Sequence, residues 1–204
     1  ALLNSQPMGF YQSHTLIHDA QRHGVKVLPI DVSSSRYDNF LERPKEMRLG
    51  FREIQSLQKK TGQAIESLKK PFASFEDFIK ELQVKLHPSV LTKRELFHLA
   101  SSDAFHSLGL NRREALWKIQ ALNLQDSPLL WSEKDHTLLP GEEPWERIAL
   151  DYDTFGVSLF CHPMTFLREE LKLNKIVSSK DIQLKNNGAT VTVGGLVVSR
   201  QMPP

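Results

Sequence analysis

The chain has 204 residues, 40% of them hydrophobic and 25% charged, with a formal net charge of +2. That is enough apolar material for the core of one large domain or two small ones, and too even a charge balance for a global polycation, so a nucleic-acid partner would have to be met by local basic patches. The single cysteine, Cys161, excludes an internal disulfide framework and Cys₄ or Cys₂His₂ zinc sites and fits a reducing cytoplasmic compartment, and neither a membrane-length apolar run nor a leader pattern occurs.

The first stretch, LLNSQPMGFY, is polar, broken by proline and ends in two aromatics. A helix is predicted over SHTLIHDAQRHG, with Ser13 as N-cap and Gly24 as its stop. VKVLPIDV reads as a short buried strand. RYDNFLE and EMRLGFR flank RPKE as a hairpin. Between Phe51 and Gln120 the pattern is helical. Ser74 with Asp77 opens SFEDFIKEL. Thr92 with Glu95 makes a capping box before TKRELFHLASSDAF, and Asn111 with Glu114 makes another before NRREALWKIQAL. HSLGL forms a tight turn between these last two helices, with Gly109 at its centre.

The stretch from Gln125 to Phe155 holds eight acidic residues and two basic ones. Its first part is predicted to be a linker. Pro144 then opens a helix, PWERIALDYDTF, stopped by Gly156, and Pro163 opens another. From Ser178 the hydrophobic period becomes two. NNG is a turn, and ATVTVGGLVVSR is a strand pair or one bent strand.

Helical hairpins bind nucleic acid when the turn and the start of the second helix offer backbone N–H groups to a phosphate, with basic side chains nearby. Two stretches fit. One is FREIQSLQKKTGQAIESLKK, in a region from Arg43 to Lys70 with eight basic and three acidic residues. The other is HSLGLNRREAL, with Arg112, Arg113 and Lys118 beside the turn. Ordinary hairpins with solvated charges are the competing reading. His14, His18 and His23 lie close in sequence, and the i, i+4 pair could bind zinc on one helix face, but no third ligand is obvious and no HExxH occurs, so they read as solvent-facing. No GxxxxGK[ST], GxSxG or GxGxxG occurs, and the spacing shows no active site. SPLLWSE places Leu129, Leu130 and Trp131 in the acidic linker, where an apolar cluster is suited to docking in a partner's groove; Trp131 folding back onto the helices is the alternative.

In this order the blocks resemble the bacterial C-family DNA polymerases, of the error-prone alpha-subunit-like type. LLNSQPMGFY with HGVKVLPIDV resembles the distal fingers of that family. MRLGF, PFASFEDF and SSDAFHSLGLNRREALWKI resemble its tandem helix-hairpin-helix region. DYDTFGVSLFCHPMTFLREEL resembles the segment leading into its OB domain, and VTVGGLVVSRQMP that domain's first strands. The resemblance implies a mainly α fold: a helical bundle with tandem helix-hairpin-helix units, a small β hairpin near the start and the first strands of an OB-like sheet at the end. It implies a fingers segment over 1–50, hairpins over 51–124, an acidic linker and helices over 125–178, and the start of an OB domain over 179–204.

By the same resemblance the chain is an internal piece of a longer template-directed polymerase, a nucleotidyltransferase of damage tolerance, DNA repair and translesion synthesis. Mg²⁺ is implied for that parent; the piece lacks the catalytic palm, should hold no cofactor and should be inactive alone. Its expected role is to hold duplex DNA, without reading sequence, through Lys59, Lys60, Ser107, Leu108, Gly109, Arg112, Arg113 and Lys118. The family carries glycine near Ser56 and a small residue near Gln58, so contact at the first hairpin rests on Lys59 and Lys60, and Arg112 with Arg113 is expected to contribute more. Two alternatives stand beside this. One is an interaction module docking on a sliding clamp or accessory repair protein through Leu129, Leu130 and Trp131. The other is a free-standing helix-hairpin-helix DNA-binding protein.

Overall fold

The computed structural model describes residues 2–7, 12–86, 91–122, 141–156 and 158–197. They fall into two compact units, Ala1–Leu159 and Phe160–Pro204. The chain is mainly α-helical, as the sequence predicts, with one small sheet in the first unit.

Helix α1, Ser13–Arg22, presents Ile17 to the core and ends at Gly24, whose φ of 78° is the left-handed conformation of a helix stop. The N-cap is Gln12, one residue before the predicted Ser13, and no side chain caps it. The sheet has the order β1-β3-β2. β2, Phe40–Arg43, and β3, Glu46–Arg48, form the expected antiparallel hairpin, with Lys45 in its turn at φ 62°. β1, Lys26–Leu28, pairs parallel to β3 from the other side.

The core lies beneath the helices that follow. A 3₁₀ turn at Phe51–Glu53 leads to α2, Lys59–Glu66, and α3, Phe75–Lys85. Ser74 accepts a hydrogen bond from the Asp77 amide and caps α3, as its spacing predicts. Phe72, Phe75, Phe78 and Phe105 make edge-to-face contacts with centroids 5.1–5.4 Å apart, the preferred geometry of aromatic quadrupoles. Gly62 stands inside α2 because an added Cβ would lie 2.8 Å from the Tyr37 ring. Helix α4, Lys93–Ser101, and α5, Arg112–Ala121, both begin with the predicted capping boxes. Helix α6, Pro144–Phe155, starts at its proline and stops at Gly156, φ 71°.

In the second unit, α7 covers Met164–Leu173 and α8 covers Ser179–Ile182, the latter capped by Ser178. The predicted turn at NNG is present, with Gly188 at φ 86° and the Ala189 amide donating to the Asn186 carbonyl. The predicted segment runs to Arg200, and its residues 198–200 lie outside the described ones; among the described residues it forms one parallel bridge, Val177 with Val193, in place of a continuous strand pair. Most of residues 189–197 are exposed, and alternation of side chains makes a strand only where a neighbouring strand accepts its amides.

Candidate nucleic-acid interface

The second hairpin is built by α4, a 3₁₀ turn at His106–Leu108, Gly109 and α5. Gly109 takes φ 73°, which lets the chain reverse without a Cβ penalty. Ser107 and Gly109 are exposed and Leu108 is half-buried, so the turn is on the surface. Its amides, however, donate within the chain. Leu108 N–H reaches the Phe105 carbonyl at 2.9 Å and Gly109 N–H the His106 carbonyl at 3.0 Å. Ser107 N–H donates to the buried Asp31 carboxylate at 3.1 Å, and the Ser107 and Ser33 hydroxyls are 2.8 Å apart. Asn111 N–H donates to Glu114 at 2.9 Å, so the positive end of α5 already faces a carboxylate.

The arginines differ most from expectation. Arg112 points inward and is 2% exposed. Its guanidinium donates to Asp151 at 2.6 Å and lies 3.6 Å from Glu142. Asp151 also accepts from the Ser158 hydroxyl at 2.7 Å. A solvated Arg112 is thus ruled out by geometry: position N1 of α5 turns toward α6, and a buried guanidinium is tolerable only when paired. Arg113 is at the surface but bonded to Glu146 at 2.6 Å. Lys118 donates to Glu76 at 2.6 Å and sits 5.8 Å from the Phe75 ring centroid. The second hairpin therefore has its charge answered by carboxylates of α6, of the residues just before it and of α3. Glu142, Glu146 and Asp151 do not stand out individually in the sequence; the acidic surplus of their segment was the available signal.

The first hairpin differs in its cations and not in its helix start, where the Gln58 N–H likewise donates to a carboxylate, Glu95, at 3.3 Å. Ser56 takes φ 65°, the left-handed conformation for which glycine is suited. Gln58 is the N-cap of α2 but offers no side-chain bond, and the first turn of α2 holds no acid. Lys59 and Lys60 are exposed there. Lys59 lies 5.8 Å from the Tyr37 ring centroid, and neither lysine joins an ion pair among the described residues. The other basic residues of this region are partly consumed internally: Arg52 pairs with Asp38 at 2.7 Å, and Lys70 donates to the Ser35 carbonyl at 3.0 Å. Leu129, Leu130 and Trp131 lie outside the described residues.

An open cleft beside α5 is lined by Asp103, His106, Asn111, Arg112, Glu142 and Arg147. Burial pushes the Asp103 and Glu142 carboxyls above their usual range, against the pull of Arg112 and Arg147. A carboxyl with a raised folded-state pKa binds its proton more readily when folded, so it disfavours the fold above that pKa and the cost disappears as pH falls. Asp103→Asn removes the charge and suits the residue's φ of 58°. Burial disfavours the charge more than the 3.8 Å ion pair with Arg147 favours it, so the variant is expected to melt higher at neutral pH, with the gain shrinking as the pH falls into the carboxyl range. Thermal melts across that range check the sign.

Among the described residues no cluster of His, Cys, Asp and Glu could hold a metal ion, and no helix is long and apolar enough to cross a membrane. The family model for the helix-hairpin-helix motif matches residues 24–115. The chain aligns over its whole length with error-prone DNA polymerases: 37% identical to that of Brucella melitensis, 36% to that of Sinorhizobium medicae and 36% to that of Bdellovibrio bacteriovorus. It spans about a fifth of those relatives, 19% of the first and 21% of the other two. Whole-length similarity at this level, together with the helix-hairpin-helix match reaching from β1 into the start of α5, means that the chain belongs to the error-prone DNA polymerase family.

Proposed function

We propose that this chain is the duplex-holding part of an error-prone, damage-tolerance polymerase, and that it grips DNA through backbone phosphates without reading sequence. The observation that carries the reading is the pair Lys59 and Lys60 at the start of α2, both exposed and in no ion pair among the described residues, with the one carboxylate at that helix start, Glu95, buried beneath them. Two adjacent exposed cations are suited to a backbone phosphate. The turn at Ser107–Gly109 would serve as a second point of contact, made by the Ser107 hydroxyl and by Arg113 when it exchanges Glu146 for phosphate. Lys118, paired to Glu76, would contribute by the same exchange. Arg112 would act indirectly, by holding α5 to α6 through Asp151.

Template-directed nucleotidyl transfer with Mg²⁺ belongs to this reading at the level of the longer relatives. The chain's own residues would bind and orient the duplex, and no catalytic step is assigned to them.

Anisotropy titration of the 204-residue chain with labelled duplexes of unrelated sequence tests the role. Affinity should be alike for all of them and fall with salt, log K changing by about −2 or more per decade. Binding that is absent at low salt, or indifferent to it, contradicts the reading.

A further inference from the structure

Glu95 is 2% exposed, yet no cation lies within ion-pair distance of it among the described residues. A buried carboxylate without a cation must be held by hydrogen bonds, and both oxygens of Glu95 are engaged. One accepts from the Thr92 amide at 3.3 Å and the Thr92 hydroxyl at 3.1 Å, which closes the capping box of its own helix, α4. The other reaches a different helix. It accepts from the Thr61 hydroxyl at 2.6 Å and the Gln58 amide at 3.3 Å. Gln58 and Thr61 bracket Lys59 and Lys60.

The N-cap amide and the Thr61 hydroxyl of α2 are therefore both bonded to a carboxylate of α4. Two lysines in a first turn oppose the helix dipole, and the negative charge beneath them offsets that cost. The same bond ties the start of α2 to the first helix of the other hairpin. We propose that Glu95, acting through Thr61, is the positioning residue for Lys59 and Lys60, setting their place relative to the α4–α5 hairpin so that both hairpins meet one DNA backbone. This inference rests on the phosphate-gripping reading above.

The test is a double-mutant cycle on DNA affinity in the whole chain. Thr61→Val keeps the side-chain shape, removes the bond to Glu95 and leaves the α4 capping box intact. In the parent chain, changing Lys59 and Lys60 to Ala should weaken binding about 10-fold; in the Thr61→Val background it should cost less than about 2-fold, because the lysines are already out of register. Thr61→Ser, which keeps the hydroxyl, should restore the parent's value. An equal lysine effect in both backgrounds overturns the positioning role while leaving the lysine contacts standing. No lysine effect in the parent overturns the phosphate reading itself, and the inference with it. If melts show Thr61→Val unfolded, the cycle is run with Thr61→Ala, which also removes the hydroxyl that bonds Glu95 and leaves the α4 capping box intact, and the same two outcomes decide.

Discussion

Replacing Asp151 with alanine is expected to destabilise the chain by about 3–5 kcal/mol. The cause is the partner left behind. Arg112 is buried, its closest carboxylate is Asp151 at 2.6 Å, and the remaining one, Glu142, is 3.6 Å away. Its Nε already lacks a hydrogen-bond partner among the described residues. Without Asp151 a guanidinium would stand in a low-dielectric setting with one weak ion pair and the Arg147 carbonyl at 3.4 Å. The bond from the Ser158 hydroxyl to Asp151 would be lost as well. Asp151→Asn keeps an acceptor and should cost less than the alanine. Urea unfolding should show the midpoint falling with an unchanged slope. A loss below about 1 kcal/mol, the size of an exposed ion pair, would mean that Arg112 is solvated.

Phe78→Ala should cost about 3–5 kcal/mol, the range for removing a buried phenyl ring. Phe78 has no exposed surface and contacts Phe72 and Phe105 edge-to-face, at 5.2 and 5.4 Å. Phe105 immediately precedes the His106–Leu108 turn, and its carbonyl accepts from the Leu108 amide. The cavity would therefore open under the second hairpin, and amide exchange should quicken there first. Val84 lies on the same helix but is 85% exposed. Val84→Ala should change stability by no more than about 0.5 kcal/mol. Equal losses for the two would contradict the placement of the core.

What could be read from the sequence was what is local. The capping boxes at Thr92–Glu95 and Asn111–Glu114 depend on residues three apart, and both formed as their spacing predicts. The stops at Gly24 and Gly156 are conformational and equally local. The fate of Arg112 was not legible, because its partner is 39 residues away. Periodicity placed it at the start of α5 but could not say which way that first turn faces. Glu95 shows the same division. Its bond to Thr92 follows from spacing, whereas its bond to Thr61 crosses 34 residues and depends on the packing of α2 against α4. The alternating residues after Asn187 read as strands, yet only Val193 finds a strand partner among the described residues, because alternation specifies faces and not the strand that must pair with them.

Those long-range pairings are the ground for proposing the grip at the first hairpin, beside the expectation that Arg112 and Arg113 contribute more. The hairpin whose turn matches the family has its arginines answered by carboxylates, and the one that departs from it keeps two lysines outside any ion pair of the described residues. The direct measurement is a salt titration of duplex binding for three chains: the parent, Lys59→Ala with Lys60→Ala, and Arg113→Ala. The lysine pair should flatten the log K against log salt slope by about 2, and Arg113→Ala by less than about 1. A larger loss from Arg113→Ala than from the two lysines would place the grip on the second hairpin and contradict a phosphate site at the start of α2.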